Sequence, residues 1–266
     1  MGNQQLILSG GGKGVESLDV ILIASGGRSN NYDGYGDGAG GMLALANLDF
    51  KDVFNPLIPL TFNVAATQTT TGQNGFNTEL ILTRIAGGTE TLTALGGGRS
   101  GSTGQTGTSG GSGGGGHSSS SGGFGNPGNG FAGPPRQGQS GGAGWANDRV
   151  KGGGGGYRTE GGNTPNADGP AGEGSNCTDT PEIWLGCSDD SPYTGQFCFG
   201  SGPNNRFGNV LGDGPGNPDN PGLLAFRWDS SFPDPSVTGT HTFYDSNDGL
   251  LRIVVIEEGE GTLVWG

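Results

Sequence analysis

The apolar positions of this chain fall into short clusters near its two ends. Val20-Ile21-Leu22-Ile23-Ala24 is unbroken and lies between glycine clusters, which predicts a short strand over 18–24 buried on both faces. Thr78-Glu79-Leu80-Ile81-Leu82-Thr83-Arg84 and Glu90-Thr91-Leu92-Thr93-Ala94-Leu95 alternate instead, the pattern of strands with one face on a core and one in water. Further strands are expected at 4–8, 42–46, 57–65 and 223–228. Leu250-Leu251-Arg252-Ile253-Val254-Val255-Ile256 and the run from Gly261 to Trp265 flank Glu257-Glu258-Gly259-Glu260. That arrangement reads as a hairpin closing a meander over 240–265. Residues 25–41, rich in Gly, Asn, Asp and Tyr, read as a loop. No segment carries a sustained helical period, and the longest apolar run is far too short for a membrane-crossing helix.

The middle of the chain changes the picture. From Gly96 to Gly156, 27 of 61 positions are glycine. Ser and Thr are the main fillers there, with isolated aromatics at Phe124, Phe131, Trp145 and Tyr157. Such a tract has few side chains from which to build an ordinary core. A flexible linker is one reading, although a linker of that length inside one compact chain is unusual. The other reading is structural. Glycine adopts the extended polyproline II-type helix, three residues per turn with no internal hydrogen bonds. Its N–H and C=O groups then point outward and must find partners. Several such helices packed side by side satisfy one another, and only a residue without a Cβ permits the closest approach. The expectation is an all-β chain: short strands in a sandwich-like framework plus packed polyglycine II helices, with essentially no α-helix. It is organised as an N-terminal β part (1–95), a polyglycine II region (96–175), a Cys/aromatic insertion (176–207) and a C-terminal β part (208–266).

Charge and cysteine usage narrow the function classes. The net charge is −13, and residues 160–266 carry all of it. An acidic surface repels phosphate backbones and anionic lipid, so neither nucleic-acid binding nor membrane insertion is expected. Three cysteines, Cys177, Cys187 and Cys198, share one segment, without a Cys-x-x-Cys spacing. One disulfide among them, or three free thiols, is expected, and no zinc site. The first residues lack a charged segment followed by an apolar one, so no secretory signal is expected.

Candidate chemistry is sparse. Gly10-Gly11-Gly12-Lys13-Gly14 looks like a phosphate loop only superficially, because Gly14 follows the lysine and no helix comes next. His117 beside Ser118 to Ser121 lies in low-complexity sequence, and no Ser/His/Asp set is suggested. Asp189-Asp190 and Glu257-Glu258 would point to opposite faces of an extended strand. Asp33, Asp37, Asp213 and Asp219 lie in Gly/Asn loops, but their spacing matches no calcium loop. No catalytic residues, metal or cofactor are expected.

Several segments taken in order carry a family resemblance. Val15-Glu16-Ser17-Leu18-Asp19-Val20-Ile21-Leu22-Ile23-Ala24-Ser25-Gly26-Gly27 resembles the opening of the glycine-rich domain of bacteriophage tail and virion proteins. Gly38-Ala39-Gly40-Gly41-Met42 and Thr91-Leu92-Thr93-Ala94-Leu95-Gly96-Gly97-Gly98 resemble its next steps. Gly222-Leu223-Leu224-Ala225-Phe226-Arg227-Trp228 and Gly259-Glu260-Gly261-Thr262-Leu263-Val264-Trp265 resemble its closing strands. The likeness spans nearly the whole chain. It departs at 176–207, which has no counterpart, and in the first glycine cluster, which is diluted with Arg, Asn, Tyr and Asp.

The resemblance implies a virion protein on the outer surface of tail or capsid. The leading expectation is a tail-fibre or tail-tip adhesin that contacts a host surface glycan or outer-membrane protein. The alternative is a capsid or tail decoration protein that cements its neighbours and touches no receptor. A third class, ice binding, would need a flat row of Thr or Ala that the tract 67–71 is too short to supply. With only about fifteen residues ahead of the first strand and no shaft, attachment is expected through a face of the domain itself. Other virion proteins and further copies of the chain are the expected partners. Exposed aromatics anchor sugar rings and protein contacts well, so the candidate contact residues are Trp184, Tyr193, Phe197 and Phe199, with Tyr32 and Tyr35 from the first glycine cluster.

Overall fold

A computed structural model of the chain describes residues 15–29, 36–50, 53–54, 58–102, 105–117, 128–131, 133, 135–144, 152–156, 160–161, 163, 221–245 and 249–265. Ten strands account for its regular structure: β1 (Ser17–Ile23), β2 (Met42–Asp49), β3 (Leu60–Val64), β4 (Thr78–Thr83), β5 (Thr89–Ala94), β6 (Leu223–Asp229), β7 (Ser236–Val237), β8 (His241–Asp245), β9 (Leu251–Ile256) and β10 (Gly259–Val264). No helix occurs among the described residues. The expected strand at 4–8 lies outside them.

The strands form two five-stranded antiparallel sheets. The first runs β2-β1-β6-β9-β8 and the second β5-β4-β3-β10-β7. The hydrophobic pattern explains why they face each other. Val20, Leu22, Leu224, Phe226, Val254 and Ile256 of the first sheet share one buried cluster with Leu60, Phe62, Val64, Leu80, Leu82 and Leu263 of the second. That cluster is the sandwich core. The alternate residues of the first sheet, Ile21, Ile23, Leu223, Ala225, Ile253 and Val255, are buried in a separate cluster with Met42 on the opposite face. The unbroken run in β1 therefore has the cause read from the sequence, two buried faces. The second sheet turns Thr61 and Asn63 to solvent between buried neighbours, and its sequence alternates accordingly.

Two side chains lock the strands at specific points. Asp19 on β1 faces Arg227 on β6, and one carboxylate oxygen accepts from Arg227 Nε (2.9 Å) and Nη2 (2.5 Å). Its other oxygen accepts from the Asn47 N–H at 2.8 Å. Among the described residues Asn47 is the non-glycine residue with positive φ, 55°, and it lies where β2 carries an extra residue opposite the Leu18/Val20 interval. The carboxylate thus holds a β-bulge that interrupts the regular pairing of an edge strand. Across the core, the buried Thr78 hydroxyl accepts from Ala65 N–H (3.1 Å) and donates to the Ile23 carbonyl (2.7 Å). It ties β4 of one sheet to the end of β1 in the other.

One expectation fails. β9 and β10 do not form a hairpin: β9 pairs with β6 and β8, and β10 with β3 and β7. Both edges of each strand are already occupied. Glu257 and Glu258, with Gly259 at φ 109°, carry the chain from one sheet to the other. Val254 and Ile256 then enter the shared core from one side and Leu263 from the other. The hairpin in this region is β8–β9, with exposed Leu250 beside it.

Candidate functional site

The strand ends lead into a second kind of structure. Past β1, before β2, before β4 and past β5, the backbone continues as extended passes that hydrogen-bond to one another and to 105–117, 128–131, 136–144 and 152–156. Their partners recur at a step of three. Gly98 and Gly101 donate to Ser112 (2.8 Å) and Gly115 (2.9 Å); Gly113 and Gly116 donate to Gln139 and Gly142 (both 2.9 Å). Ala24 and Gly27 donate to Gly41 and Gly38, and Gln139 and Gly142 to Gly156 and Gly153. A sheet would repeat every two residues on one neighbour. Here Gly113, Gly114 and Gly115 donate to three different segments, at Gln139, Thr108 and Gly36. A helix with three residues per turn gives this outward fan of bonds, and the passes run both parallel and antiparallel.

At many interior positions of this lattice only glycine fits. A Cβ on Gly96 would collide with the Gly75 carbonyl, and one on Gly113 with the Gly128 carbonyl. The obstructing atoms are backbone, itself held by hydrogen bonds, so no rotamer change relieves the overlap. Each ordered glycine costs more conformational entropy than any other residue. The bonds offset that cost because leaving the same buried groups unpaired would cost about 1–3 kcal/mol apiece.

The lattice corrects the reading of residues 25–41. Their described parts, 25–29 and 36–41, are lattice passes, and Gly27 donates to Gly38 at 3.0 Å. Asp37 is buried there. Its carboxylate oxygens accept the Ser29 N–H (2.9 Å) and the Ser100 N–H (2.6 Å), so it serves as a cross-link between passes. His117 is likewise buried at the end of a pass.

The candidate contact residues Trp184, Tyr193, Phe197, Phe199, Tyr32 and Tyr35 all lie outside the described residues, as do Cys177, Cys187 and Cys198. Ser29 and Gly36, which bracket the two tyrosines in sequence, both belong to the lattice. Among the described residues no group of His, Cys, Asp or Glu side chains could hold a metal ion.

The described residues also form a groove. It has a volume of about 340 Å³ and lies where the 74–77 pass meets the segments around Ser109 and Asn129; Leu95 and Phe131 complete its wall. Asn74 and Asn77 are three residues apart, so a three-residue turn puts them on one side of their pass. Asn74 is engaged at both ends of its carboxamide: Nδ2 donates to the Ser109 carbonyl (3.0 Å) and Oδ1 accepts from Thr108 Oγ1 (2.5 Å). Among the described residues Asn77 uses only its oxygen, which accepts the Gly96 N–H at 2.9 Å. Phe131 is 39% exposed, and its ring occupies the space where a Cβ on Gly133 would sit. No ionisable side chain lines the groove among the described residues.

Sequence reasoning noted Phe131 as an isolated aromatic but missed the asparagines around it. The available signal was the Asn-x-x-Asn spacing around Gly75, which becomes a shared face only once the turn is known to hold three residues. Comparison with protein families, curated proteins and solved structures finds no match to this chain.

Proposed function

We propose that this chain is a structural protein of a bacteriophage virion, an adhesin at the tail fibre or tail tip that binds the host cell surface. The observation that carries this reading is the three-residue step of the lattice bonds, repeated on every pair of passes described above. It supports the likeness of the glycine clusters to glycine-rich virion domains by giving those clusters the packing that such a domain requires. An adhesin must hold its contact residues in place while a particle drifts along a surface. A slab whose interior is backbone bonded to backbone provides a stiff base without a large apolar core. Ser29 and Gly36, which bracket Tyr32 and Tyr35 in sequence, are held by its bonds. Attachment to other virion proteins, and assembly with further copies of the chain, belong to the same proposal.

The test is to locate the chain on purified particles with a specific antibody, then add the purified protein to host cells ahead of the phage. The expected result is label at the tail and a dose-dependent loss of adsorption. Label on the particle with unimpaired adsorption would assign the decoration role instead. A chain absent from particles would end the virion reading.

A further inference from the structure

We infer that the groove between Asn77 and Phe131 is a subsite for an uncharged saccharide. The inference gives the adhesin reading a ligand class but stands on the groove's own chemistry. Three asparagines, one serine and one aromatic ring meet there, with Leu95 and glycine backbone between them. Without a lysine, arginine or carboxylate among the lining residues, nothing offsets the desolvation of a charged ligand. The available polar groups are carboxamides, which offer a donor and an acceptor side by side. Neighbouring hydroxyls on a pyranose ring present the matching pair.

The inventory of free groups points the same way. Asn77 Nδ2 and both ends of the Asn129 carboxamide have no partner among the described residues, while the Asn129 backbone N–H donates to Ser109 Oγ at 3.3 Å. Asn74 is held at both ends of its carboxamide by Ser109, Thr108 and Arg99, so it acts as a rigid wall that sets the groove's width. Phe131 supplies an exposed ring for the C–H face of a sugar, and aromatic faces favour such contacts. Its backbone is held at both ends, N–H to the Gly111 carbonyl and carbonyl from the Gln137 N–H, each 3.1 Å. The ring is thus presented by a fixed backbone, which lowers the entropy cost of binding. The volume lies near the lower end of small-molecule sites, roughly 300–1,000 Å³, and suits the end of a short oligosaccharide better than a peptide strand.

The experiment is isothermal titration of the purified full chain with neutral hexose and N-acetylhexosamine oligosaccharides, alongside sialylated and uronic-acid oligosaccharides. The expected result is binding of at least one neutral oligosaccharide, weakened roughly tenfold by Phe131→Ala and by Asn129→Ala, since about 1.4 kcal/mol corresponds to tenfold. Thermal unfolding of both variants should match the parent, because both side chains are exposed. Binding of acidic oligosaccharides only, binding unaffected by both variants, or no binding at millimolar concentrations would each overturn the inference. The outcome is separable from the adhesin reading. A chain that blocks adsorption equally well with both substitutions keeps that reading and loses the groove; a chain that binds neutral sugars yet is absent from particles does the reverse.

Discussion

The Gln137 carboxamide nitrogen donates to the Thr93 carbonyl at 2.8 Å, joining the glycine lattice to β5. The same carboxamide accepts the Leu95 N–H at 2.8 Å, so one side chain pairs with β5 as a neighbouring strand would. Its own carbonyl accepts the Met42 N–H, the first of β2, at 3.0 Å. β5 and β2 belong to different sheets. This single residue, 5% exposed, therefore fixes the lattice to both layers of the sandwich.

Gln137→Leu should remove both side-chain bonds and strand the half-buried Thr93 carbonyl and Leu95 N–H against an apolar side chain. The expected loss is about 2–4 kcal/mol, two unsatisfied groups at the usual cost of each. Gln137→Glu should be at least as damaging, because a carboxylate cannot donate to Thr93. Urea unfolding measures both; stability within about 0.5 kcal/mol of the parent would mean that this joint carries no strain of the assembly.

Glycine substitutions should separate close packing from backbone conformation. A Cβ at Gly113 meets the Gly128 carbonyl, whereas one at Gly87 meets nothing within 4 Å, although Gly87 has φ 92°. Gly87→Ala should cost about 1 kcal/mol for its positive φ. Gly113→Ala should cost about 3 kcal/mol or more, since rigid backbone must move apart. Equal thermal shifts for the two variants would argue against the packed lattice.

Amide exchange should follow the lattice bonds. Gly97, Gly98, Gly111 and Gly113 donate to Ser25, Ser112, Gly96 and Gln139. Their protons are expected to exchange as slowly as those in the middle of β1 and β6, because opening one bond requires separating several passes. Rapid exchange at all four, with β1 still protected, would make the tract a linker after all.

Thr78→Val keeps the shape of the side chain and removes its hydroxyl. The Ala65 N–H and the Ile23 carbonyl then lose their partner in a fully buried site. A loss of about 1–3 kcal/mol is expected, with Thr78→Ser close to the parent. Denaturation curves that do not distinguish Val from Ser would show that the hydroxyl does not bridge the sheets.

Local pattern carried much of this architecture. The doubly buried β1, the alternating β4 and the strand Leu223–Asp229 lie within a residue or so of their expected positions, because burial on one face or two leaves a periodic trace in the residues themselves. The crossing between β9 and β10 left no such trace. Glu257-Glu258-Gly259 is turn-like in either arrangement, and occupation of one edge of β9 by β6 and of one edge of β10 by β3 is a matter of distant chain. The groove was hidden for a related reason: Asn77, Asn129 and Phe131 come from separate passes.

Composition alone narrowed the central tract to two readings, a flexible linker or passes packed through their backbones, since a residue without a Cβ has little other surface to offer. Which backbone meets which was decided in three dimensions. Residues 25–29 and 36–41 entered the lattice, rather than remaining a loop, because their amides find partners on passes more than a hundred residues away, such as Gly155 for Ala39. A hydrogen bond between two glycines leaves no mark on the identity of either, so the pairing is visible only in the folded chain.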